Sequence, residues 1–285
     1  MIVLYENAYA KLNLTLDVLG LRDDGYHDIK SVMQTVSLCD DIVLELNTGK
    51  PWQLTCDETS VPCDSRNLAW KAAQCFINAA GVTVDGLTIH ITKRIPSQAG
   101  MGGGSSDAAA VLRALNRHYG EVFSMKELVS FSEQIGSDVP FCVYGGTAMC
   151  EGRGERIRKL PSMPACRIVI CKPEFSMSTP ALFRRLDEFG IFCRPDNDAM
   201  ETAICDGDLT CIGAKLCNVF DPVVSAEYPL MDRIRECCMS YGALGCQMSG
   251  SGSAFFALMP DQSSAASLAE ALKAYCPHVF VAEPV

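Results

Sequence analysis

A glycine-rich segment between a predicted strand and a predicted helix is the part of this chain most able to do chemistry. Four of the five residues 100–104 are glycine, and Ser105 and Ser106 follow them. Alternating apolar residues at 87–92 predict the strand, and apolar residues at helical spacing over 108–119 predict the helix. Glycine lets a backbone approach a ligand closely, and a helix N-terminus offers free N–H groups and a positive dipole end. The segment therefore predicts an anion site, and phosphate is the usual anion.

The segment matches neither of the two common phosphate-binding patterns. No lysine follows the glycines as a Walker A loop requires, and Ser105 stands where the dinucleotide fingerprint has its third glycine. A flexible glycine–serine linker is the alternative interpretation. The strand and the amphipathic helix that flank the segment so closely favour a ligand site instead.

The composition limits the classes of protein to which the chain can belong. Its 285 residues are 48% hydrophobic, which is enough for one large or two medium-sized domains with apolar cores. The net charge of −10 argues against a nucleic-acid partner, because binding a phosphate backbone needs a basic face. A small phosphorylated ligand is still possible, since a local site can be positive on an acidic protein.

Two features of the sequence concern the cellular compartment of the protein. It has no apolar run of 18 residues, so we expect no membrane-spanning segment. Its first residues lack the basic stretch and cleavage site of a secretory signal, which favours a cytoplasmic protein.

The sixteen cysteines raise the question of disulfides or a metal site. No two of them are three residues apart, and only four histidines accompany them. We therefore expect free thiols in a reducing compartment, and the sequence assigns no metal ligand.

The organisation of the chain follows from its breaks and periodicities. Two prolines within residues 160–164 place a domain boundary there, with domains at 1–160 and 161–285. In the first part the patterns predict strands at 12–18, within 29–46, at 87–92 and at 141–144, and helices at 67–80 and 125–135. In the second part they predict strands at 166–171, 254–258 and 278–282, and helices at 179–187, 197–206, 208–217, 227–240 and 265–272.

Five segments, taken in order along the chain, resemble the GHMP small-molecule kinase family. They are Ala10-Lys11-Leu12-Asn13-Leu14, Asp24-Gly25-Tyr26-His27, the glycine segment 96–107, the segment 136–141 and the segment 248–254. The first, second and fourth are most similar to the branch of the family whose acceptor is a cytidine diphosphate-linked polyol. One such motif would be moderately specific, whereas all five in order and at family-like spacing are strongly specific.

The resemblance implies an α+β fold of two domains. The N-terminal domain would contain a ribosomal-protein-S5-like sheet and bind ATP, and the C-terminal domain would be ferredoxin-like. The implied activity is transfer of phosphate from ATP to an alcohol, with Mg²⁺ as the accompanying cation. The expected partner is the cytidine diphosphate-linked polyol, with no nucleic acid and no membrane, and the chain would work as a monomer or weak homodimer.

The resemblance assigns the glycine segment to the triphosphate, which its backbone N–H groups and serine hydroxyls would bind. The residues assigned to ATP are Pro96, Gly100, Gly102, Gly103, Gly104, Ser105 and Ser106. Asp107 follows at the expected start of the helix, where we expect it to cap the helix and complement its dipole. Gln98 departs from the family pattern, which has Ala or Gly there, and could alter the packing of the loop.

Asp138 and Lys11 are the candidate catalytic residues. Phosphate transfer to an alcohol needs a base for the hydroxyl proton, and the resemblance gives this role to Asp138. An aspartate that bonds its own turn is the alternative. Lys11 shares the polar face of its strand with Asn13, where its charge would offset charge on the transferring phosphoryl group. A solvated surface lysine is the alternative.

Further candidates would hold the acceptor molecule. They are Asn13, Tyr26, His27, Asp138, Thr179, Phe183, Gly250 and Gly252. By the resemblance, Tyr26 offers an aromatic face to the cytosine, His27 contacts its polar edge, and Phe183 covers its other face. Ordinary packing of Tyr26 and His27 after a glycine turn is the alternative, while the two glycines would let their loop approach the glycine segment.

Two other functions stay open from the sequence. Another branch of the same kinase family, acting on a mevalonate-type or amino-alcohol substrate, would lack the Gly25-Tyr26-His27 pattern. A non-catalytic ligand sensor on the same fold would not need to keep both Lys11 and Asp138.

Overall fold

Twelve strands and ten helices form along the chain, and the computed structural model describes all of residues 1–285. The strands are β1 (Ile2–Asn13), β2 (Thr15–Leu21), β3 (His27–Leu46), β4 (Gln53–Cys56), β5 (Leu87–Thr92), β6 (Thr147–Gly152), β7 (Arg156–Lys159), β8 (Arg167–Lys172), β9 (Cys217–Asn218), β10 (Gly245–Met248), β11 (Phe255–Met259) and β12 (His278–Ala282). The helices are α1 (Leu68–Ala80), α2 (Gly103–His118), α3 (Met125–Ser132), α4 (Val139–Tyr144), α5 (Thr179–Phe189), α6 (Asn197–Asp206), α7 (Leu209–Ala214), α8 (Asp221–Glu227), α9 (Leu230–Ser240) and α10 (Gln262–Leu272).

The chain forms two compact units whose limits differ from a single boundary near residue 161. The first unit contains Met1–Ala10, Cys39–Ile95 and Gly102–Gly145. The second contains Lys11–Leu38, Pro96–Met101 and Gly146–Val285. The long strands β1 and β3 therefore contribute residues to both units. The segment Lys11–Leu38 belongs to the second unit because its strands pair there with β6 and β9.

In the first unit, two helices cover a small sheet. The second half of β3 pairs antiparallel with β5, and β4 pairs parallel with β5. Apolar residues at every second position of β3 and β5 enter the core, as the alternation of a half-buried strand requires. Helix α1 begins where the Asn67 side chain accepts a hydrogen bond from the Ala69 amide at 2.8 Å, and it ends at Gly81.

Two short helices complete the first unit. A reciprocal hydrogen-bonded pair of Ser124 and Glu127 caps the start of α3. The predicted strand at 141–144 is wrong, because these residues form the helix α4, with Pro140 in its first turn. A short apolar run does not distinguish strand from helix, and proline is favoured at the start of a helix.

The second unit contains a four-stranded antiparallel sheet in the order β10-β11-β8-β12. Along the chain these strands alternate with helices as β8, helices, β10, β11, α10 and β12. This is the ferredoxin-like arrangement that we expected. The family's two-domain α+β fold is therefore confirmed for its C-terminal part by the strand order itself.

The remaining strands of the second unit position the N-terminal motif. The predicted strand at 12–18 is broken at Leu14, because β1 ends at Asn13 and β2 begins at Thr15. The break lies where the Gln247 side chain donates hydrogen bonds to the carbonyls of Asn13 and Leu14, at 2.7 and 2.9 Å. A sequence-distant amide thus stabilises the end of the strand that carries Lys11.

Two further properties of the whole chain concern its helices and its cysteines. None of its helices combines the length and apolar character that crossing a bilayer demands. All sixteen cysteines are free thiols, and six of them are buried.

Candidate functional site

The first unit contributes the N-terminus of α2, which follows the glycines. Gly102 precedes the helix in the left-handed conformation, with φ of 69°, and no side chain caps the helix start. The first amides of an α-helix have no partner within it, so those of Gly103, Gly104 and Ser105 point out of its N-terminal end. Free amides and the positive end of a helix dipole are the groups that favour an anion, so the helix start has the form that the sequence predicts, and anion binding there stays a prediction.

The two serines of this helix differ in their surroundings. Ser106 is buried, and its hydroxyl donates a hydrogen bond to the Gly103 carbonyl at 3.0 Å. Ser105 is only half-buried, and Gly104 beside it is exposed. Of the two predicted hydroxyl donors, Ser105 is therefore the better placed to meet a ligand.

A buried cluster of three charged residues lies behind the same helix. Lys93 donates hydrogen bonds to carboxylate oxygens of Asp40 and of Asp107, the latter at 2.9 Å. The side chains are at most 8% exposed. The backbone amides of Arg94 and Ile95 also donate to Asp40, at 2.5 and 2.8 Å. Asp40 thus accepts three hydrogen bonds, whereas Asp107 accepts the one from Lys93.

Asp107 does not cap its helix, which begins four residues earlier, at Gly103. Its Oδ1 atom is buried without a hydrogen-bond partner. Burial, together with the nearby charge of Asp40, raises the pKa of Asp107 to about 7 despite the charge of Lys93. Burial alone would lower the pKa of Lys93, but the two carboxylates outweigh it and raise that pKa. The lysine therefore keeps its charge beneath the anion site.

Asp138 immediately precedes α4. Its carbonyl accepts the hydrogen bond from the Cys142 amide, but its side chain makes no capping bond to the helix. The carboxylate is half-buried at the start of the helix.

The second unit contains Lys11 and Asn13 side by side, as predicted. The Lys11 Nζ donates to the Asn13 Oδ1 at 2.8 Å, and the Asn13 amide donates to the Ser31 hydroxyl at 2.8 Å. Lys11 is only 4% exposed and Asn13 only 1%. The alternative of a solvated surface lysine is therefore wrong. A buried ammonium group needs such hydrogen-bonding partners, since an unpaired one is costly.

Backbone contacts join Lys11 to the two glycine loops of this unit. The Lys11 amide donates to the Met101 carbonyl at 3.0 Å. Gly100 has a φ of 72°, and a Cβ there would overlap the carbonyl oxygen of Ser249. A Cβ at Gly250 would lie 2.8 Å from the Gly100 carbonyl oxygen and 3.3 Å from the Asn13 Oδ1. The structure therefore brings Lys11, Asn13, Gly100 and Gly250 together.

The other loop residues hold this arrangement in different ways. A Cβ at Gly252 would clash with the Met248 side chain, so the absence of a side chain here lets the loop turn back on itself. Gln98 is exposed with a φ of 52°, a left-handed conformation that glycine adopts without strain. That conformation explains the glycine that the family pattern allows there. Pro96 begins the loop and is half-buried.

Two residues that the sequence did not reveal support the second loop. The Asn218 side chain donates to the carbonyls of Met248 and Gly250, at 2.9 and 2.8 Å. Gln247 bonds the chain beside Lys11, as described above. Each lies far along the chain from its partners, so no local pattern predicts these contacts.

Two of the three predicted cytosine-binding residues, His27 and Phe183, belong to an aromatic group in the second unit. His27 stacks on Phe183, with ring centroids 4.6 Å apart and planes 25° from parallel. Phe220 packs edge-on against Phe183. Tyr26 is 52% exposed, and the Arg153 guanidinium lies 4.6 Å from its ring centroid. The structure therefore brings His27 and Phe183 together, whereas Tyr26 lies against Arg153.

Thr179 lies at the start of the helix that carries Phe183. Its hydroxyl is 2.7 Å from that of Ser251, in the loop that contains Gly250 and Gly252. Thr179 and Phe183 are four residues apart on α5, so they share one face of the helix. The helix therefore connects the aromatic group to the second glycine loop.

These features define an α+β fold of two units, the first with a helix that begins in the glycine-rich segment and the second with a buried, hydrogen-bonded lysine. Models of the N-terminal and C-terminal domains of GHMP kinases match residues 67–146 and 200–278. The 4-diphosphocytidyl-2-C-methyl-D-erythritol kinase of Caldicellulosiruptor saccharolyticus is 44% identical over 274 residues, 96% of this chain and 94% of that protein.

Solved structures of kinases share the fold of this chain. The crystal structure of a 4-(cytidine 5'-diphospho)-2C-methyl-D-erythritol kinase is 33% identical, with a TM-score of 0.81 and 98% of each chain covered. A homoserine kinase from Cytophaga hutchinsonii shares the fold at 20% identity, with a TM-score of 0.78 over 99% of this chain and 94% of its own. The chain belongs to the GHMP kinase family, and ATP is the phosphate donor of these kinases.

Replacing Gly104 with alanine tests the anion site at the start of α2. A Cβ at Gly104 would meet only the Leu68 Cδ1 atom at 3.8 Å, and alanine is the better helix former. We expect G104A to keep its thermal stability while the KM for ATP rises roughly tenfold or more, because displacing a bound phosphate by about 1 Å is costly. Steady-state kinetics and a melting curve measure both. The matched control is Gly20→Ala, whose Cβ would meet nothing within 4 Å. An unchanged KM in G104A would show that no phosphate lies there.

Replacing Asp107 with asparagine tests the buried cluster. The pKa of Asp107 is about 7 in the folded chain against 3.8 without its surroundings, so the folded state holds the proton more tightly. This stabilisation is complete below pH 4 and is lost as the pH rises to 7, by about 1.4 kcal/mol per pH unit. Asparagine does not titrate.

We therefore expect the unfolding free energy of the parent to fall relative to that of D107N between pH 4 and pH 7, and the difference to be constant above. Urea titrations at several pH values measure it. A difference that grows with pH would mean that Asp107 is already ionised by its ion pair with Lys93.

Proposed function

We propose that this chain transfers the γ-phosphate of ATP to the 2-hydroxyl of 4-diphosphocytidyl-2-C-methyl-D-erythritol. The observation that carries the proposal is the 44% identity to a curated kinase of that name along 96% of the chain. The reaction would serve the non-mevalonate route to isoprenoid precursors. We propose a cytoplasmic location and, since every residue of the proposal comes from one chain, a monomer or weak homodimer.

The triphosphate is bound by the N-terminus of α2 in this proposal. Phosphoryl transfer requires little covalent chemistry from the protein, so positioning and charge stabilisation provide most of the catalysis. The amides of Gly103, Gly104 and Ser105 replace the hydration of the phosphate oxygens. Lys93 behind the helix is paired with Asp40 and Asp107, so this cluster adds no net positive charge to the site.

Mg²⁺ accompanies ATP in the proposed reaction. The chain has no group of three or more His, Cys, Asp or Glu side chains that could hold a metal ion. Mg²⁺ in general keeps several waters and takes most of its remaining ligands from substrate phosphates. The ion would neutralise charge on the phosphate oxygens.

Asp138 is the general base in this scheme. It would accept the proton of the acceptor hydroxyl as that oxygen bonds to phosphorus. It lies half-buried where α4 begins. The support for this role is the position of Asp138 in the segment 136–141, one of the five that resemble the family.

Lys11 and Asn13 provide the fixed charge and its orientation. The Lys11 ammonium group is buried and bonded to Asn13, which is bonded in turn to Ser31. A preorganised charge in a buried setting stabilises developing negative charge far more than one in water. We propose that Lys11 stabilises the transferring phosphoryl group and that Asn13 fixes the lysine.

Tyr26, His27 and Phe183 would hold the cytosine of the acceptor. Stacking on an aromatic ring contributes about 1–3 kcal/mol per base in nucleic-acid sites. Because His27 itself lies against Phe183, a base in contact with the edge of His27 would lie nearly parallel to the Phe183 ring. Gly250, Gly252 and Thr179 form the adjoining loop and helix start.

Replacing Asp138 with asparagine tests the base. Asparagine keeps the shape of the side chain but does not accept the proton. We expect kcat to fall by at least ~100-fold while the KM for ATP changes little. The neighbouring Ser137→Ala variant is the control and should keep its turnover. Turnover close to that of the parent in D138N would remove Asp138 from the mechanism.

Competition by cytidine nucleotides tests the substrate. We expect CDP and CMP to compete with the alcohol substrate and not with ATP, because the cytosine subsite is separate from the triphosphate site. Initial-rate inhibition patterns distinguish the two. If neither nucleotide competes and a mevalonate-type or amino alcohol is phosphorylated instead, the chain is a kinase of another branch. If no alcohol is phosphorylated, it is a sensor.

A further inference from the structure

The imidazole of His27 is held by a residue that no motif predicts. Its Nε2 lies 3.1 Å from the Oδ1 and 3.2 Å from the Oδ2 of Asp187. The His27 side chain is 9% exposed and that of Asp187 is 52% exposed. Asp187 lies on α5, four residues after Phe183 and eight after Thr179, so all three residues occupy one face of that helix.

The contact determines which ring nitrogen of His27 carries the proton. An ionised carboxylate only accepts hydrogen bonds, so the Nε2 that faces both Asp187 oxygens is the donor. In the neutral ring the other nitrogen, Nδ1, then has a lone pair and acts as an acceptor. Asp187 therefore selects one of the two neutral tautomers of His27.

The orientation of the ring is determined as well. His27 lies against Phe183 with the planes 25° apart, and Phe183 is packed edge-on against Phe220. Its backbone is fixed as the first residue of β3, opposite Leu21 of β2. Rotation of the imidazole would lose both the stacking and the bond to Asp187. His27 thus presents its Nδ1 acceptor in a fixed direction.

A fixed acceptor distinguishes two pyrimidines of nearly identical shape. At the same ring position cytosine carries an amino group, which donates hydrogen bonds, whereas uracil carries a carbonyl oxygen, which accepts them. An Nδ1 lone pair attracts the amino group and repels the carbonyl oxygen. A mismatched pair of acceptors in a partly buried site is costly because neither is satisfied.

We propose that Asp187 is a positioning residue that holds His27 in its Nε2-protonated form and thereby makes the base subsite select an aminopyrimidine over an oxopyrimidine. The proposal rests on the proposed function, in which His27 contacts the cytosine. It adds Asp187 as the residue that makes the Nδ1 of His27 a hydrogen-bond acceptor for the base. Asp187 itself touches no substrate in this account and acts through the imidazole.

Nucleotide binding to Asp187→Ala tests the proposal. The probes are CDP and UDP, titrated by calorimetry into protein whose ATP site is saturated with Mg²⁺ and a non-hydrolysable ATP analogue. We expect the parent to bind CDP more tightly than UDP. In D187A the ratio of the two dissociation constants should fall about tenfold, equivalent to about 1.4 kcal/mol, mainly through weaker binding of CDP.

Two further variants separate this role from general damage. Asp187→Glu keeps the acceptor and should retain most of the discrimination. Glu188→Gln changes the neighbouring exposed residue on the same helix and should leave both affinities unchanged. If D187A weakens CDP and UDP equally, Asp187 is only structural and the proposal is wrong.

The tautomer can be observed directly. The chain has four histidines, so the ¹⁵N resonances of His27 can be assigned by comparison with a His27→Gln sample. We expect the parent to show a protonated Nε2 and an unprotonated Nδ1, and D187A to show a mixture of both forms. A protonated Nδ1 in the parent overturns the proposal.

The parent protein separates failure of this inference from failure of the proposed function. Binding of CDP and UDP with equal affinity would overturn the role of Asp187 while the cytidine subsite survives. Binding of neither nucleotide would overturn the cytidine substrate itself, and the role of Asp187 with it.

Discussion

The close approach of two backbones, at Gly100 and Ser249, is the constraint on which the second unit depends. A side chain at Gly100 would overlap the Ser249 carbonyl oxygen and lie 2.9 Å from the Gly252 amide. Hydrogen bonds from the Ser249 hydroxyl to the Gly100 carbonyl and from the Ala254 amide to the Ala99 carbonyl, both 3.1 Å long, hold the loops at this distance. Since Lys11 bonds Met101 and Gly250 lies against Asn13, the same contact also positions the buried lysine.

Both units bury a lysine and satisfy it with polar groups. Lys11 is bonded to Asn13 and Lys93 to two carboxylates. Burial is costly for an ammonium group, but the hydrogen bonds offset that cost and hold the charge in a fixed place. A fixed charge needs no reorganisation when negative charge develops, which is the property that phosphoryl transfer requires. Burial, together with the nearby charge of Asp40, raises the pKa of Asp107, whose carboxylate shares one buried lysine with Asp40.

The sequence predicted best the features that depend on local periodicity. The strand at 87–92 and the helix after the glycines are confirmed, as are the strands at 166–171, 254–258 and 278–282 and the helices at 179–187, 197–206 and 265–272. The predicted helix at 208–217 ends at Ala214, since Cys217–Asn218 form β9, and the sequence did not predict β10 or α8. The error at 141–144 arose because four apolar residues are too few to distinguish helix from strand. The break at Leu14 arose because Gln247, 233 residues away, bonds the strand there. Local patterns contain no information about such a partner.

In the candidate site, too, the sequence predicted local arrangements and did not predict contacts between distant segments. The neighbouring positions of Lys11 and Asn13 followed from strand alternation, and their contact is confirmed. The role of Asp107 was wrong, because four residues of helix precede it and its partner, Lys93, lies before the loop. No local sequence pattern predicts the contacts of Asp187 and Asn218, since these contacts join segments far apart in the chain. The one indication for Asp187 is its spacing of four residues from Phe183 on the same helix. The roles assigned to Asp138 and the glycines stay predictions.

Identification of the phosphorylated product tests the central claim most directly. Purified protein would be incubated with Mg²⁺, ATP and 4-diphosphocytidyl-2-C-methyl-D-erythritol, and the product analysed by ³¹P NMR and mass spectrometry. The account predicts one new phosphate monoester, on the 2-hydroxyl, formed in equal amount to ADP. ADP without a phosphorylated polyol, or phosphate on a different hydroxyl, would contradict it.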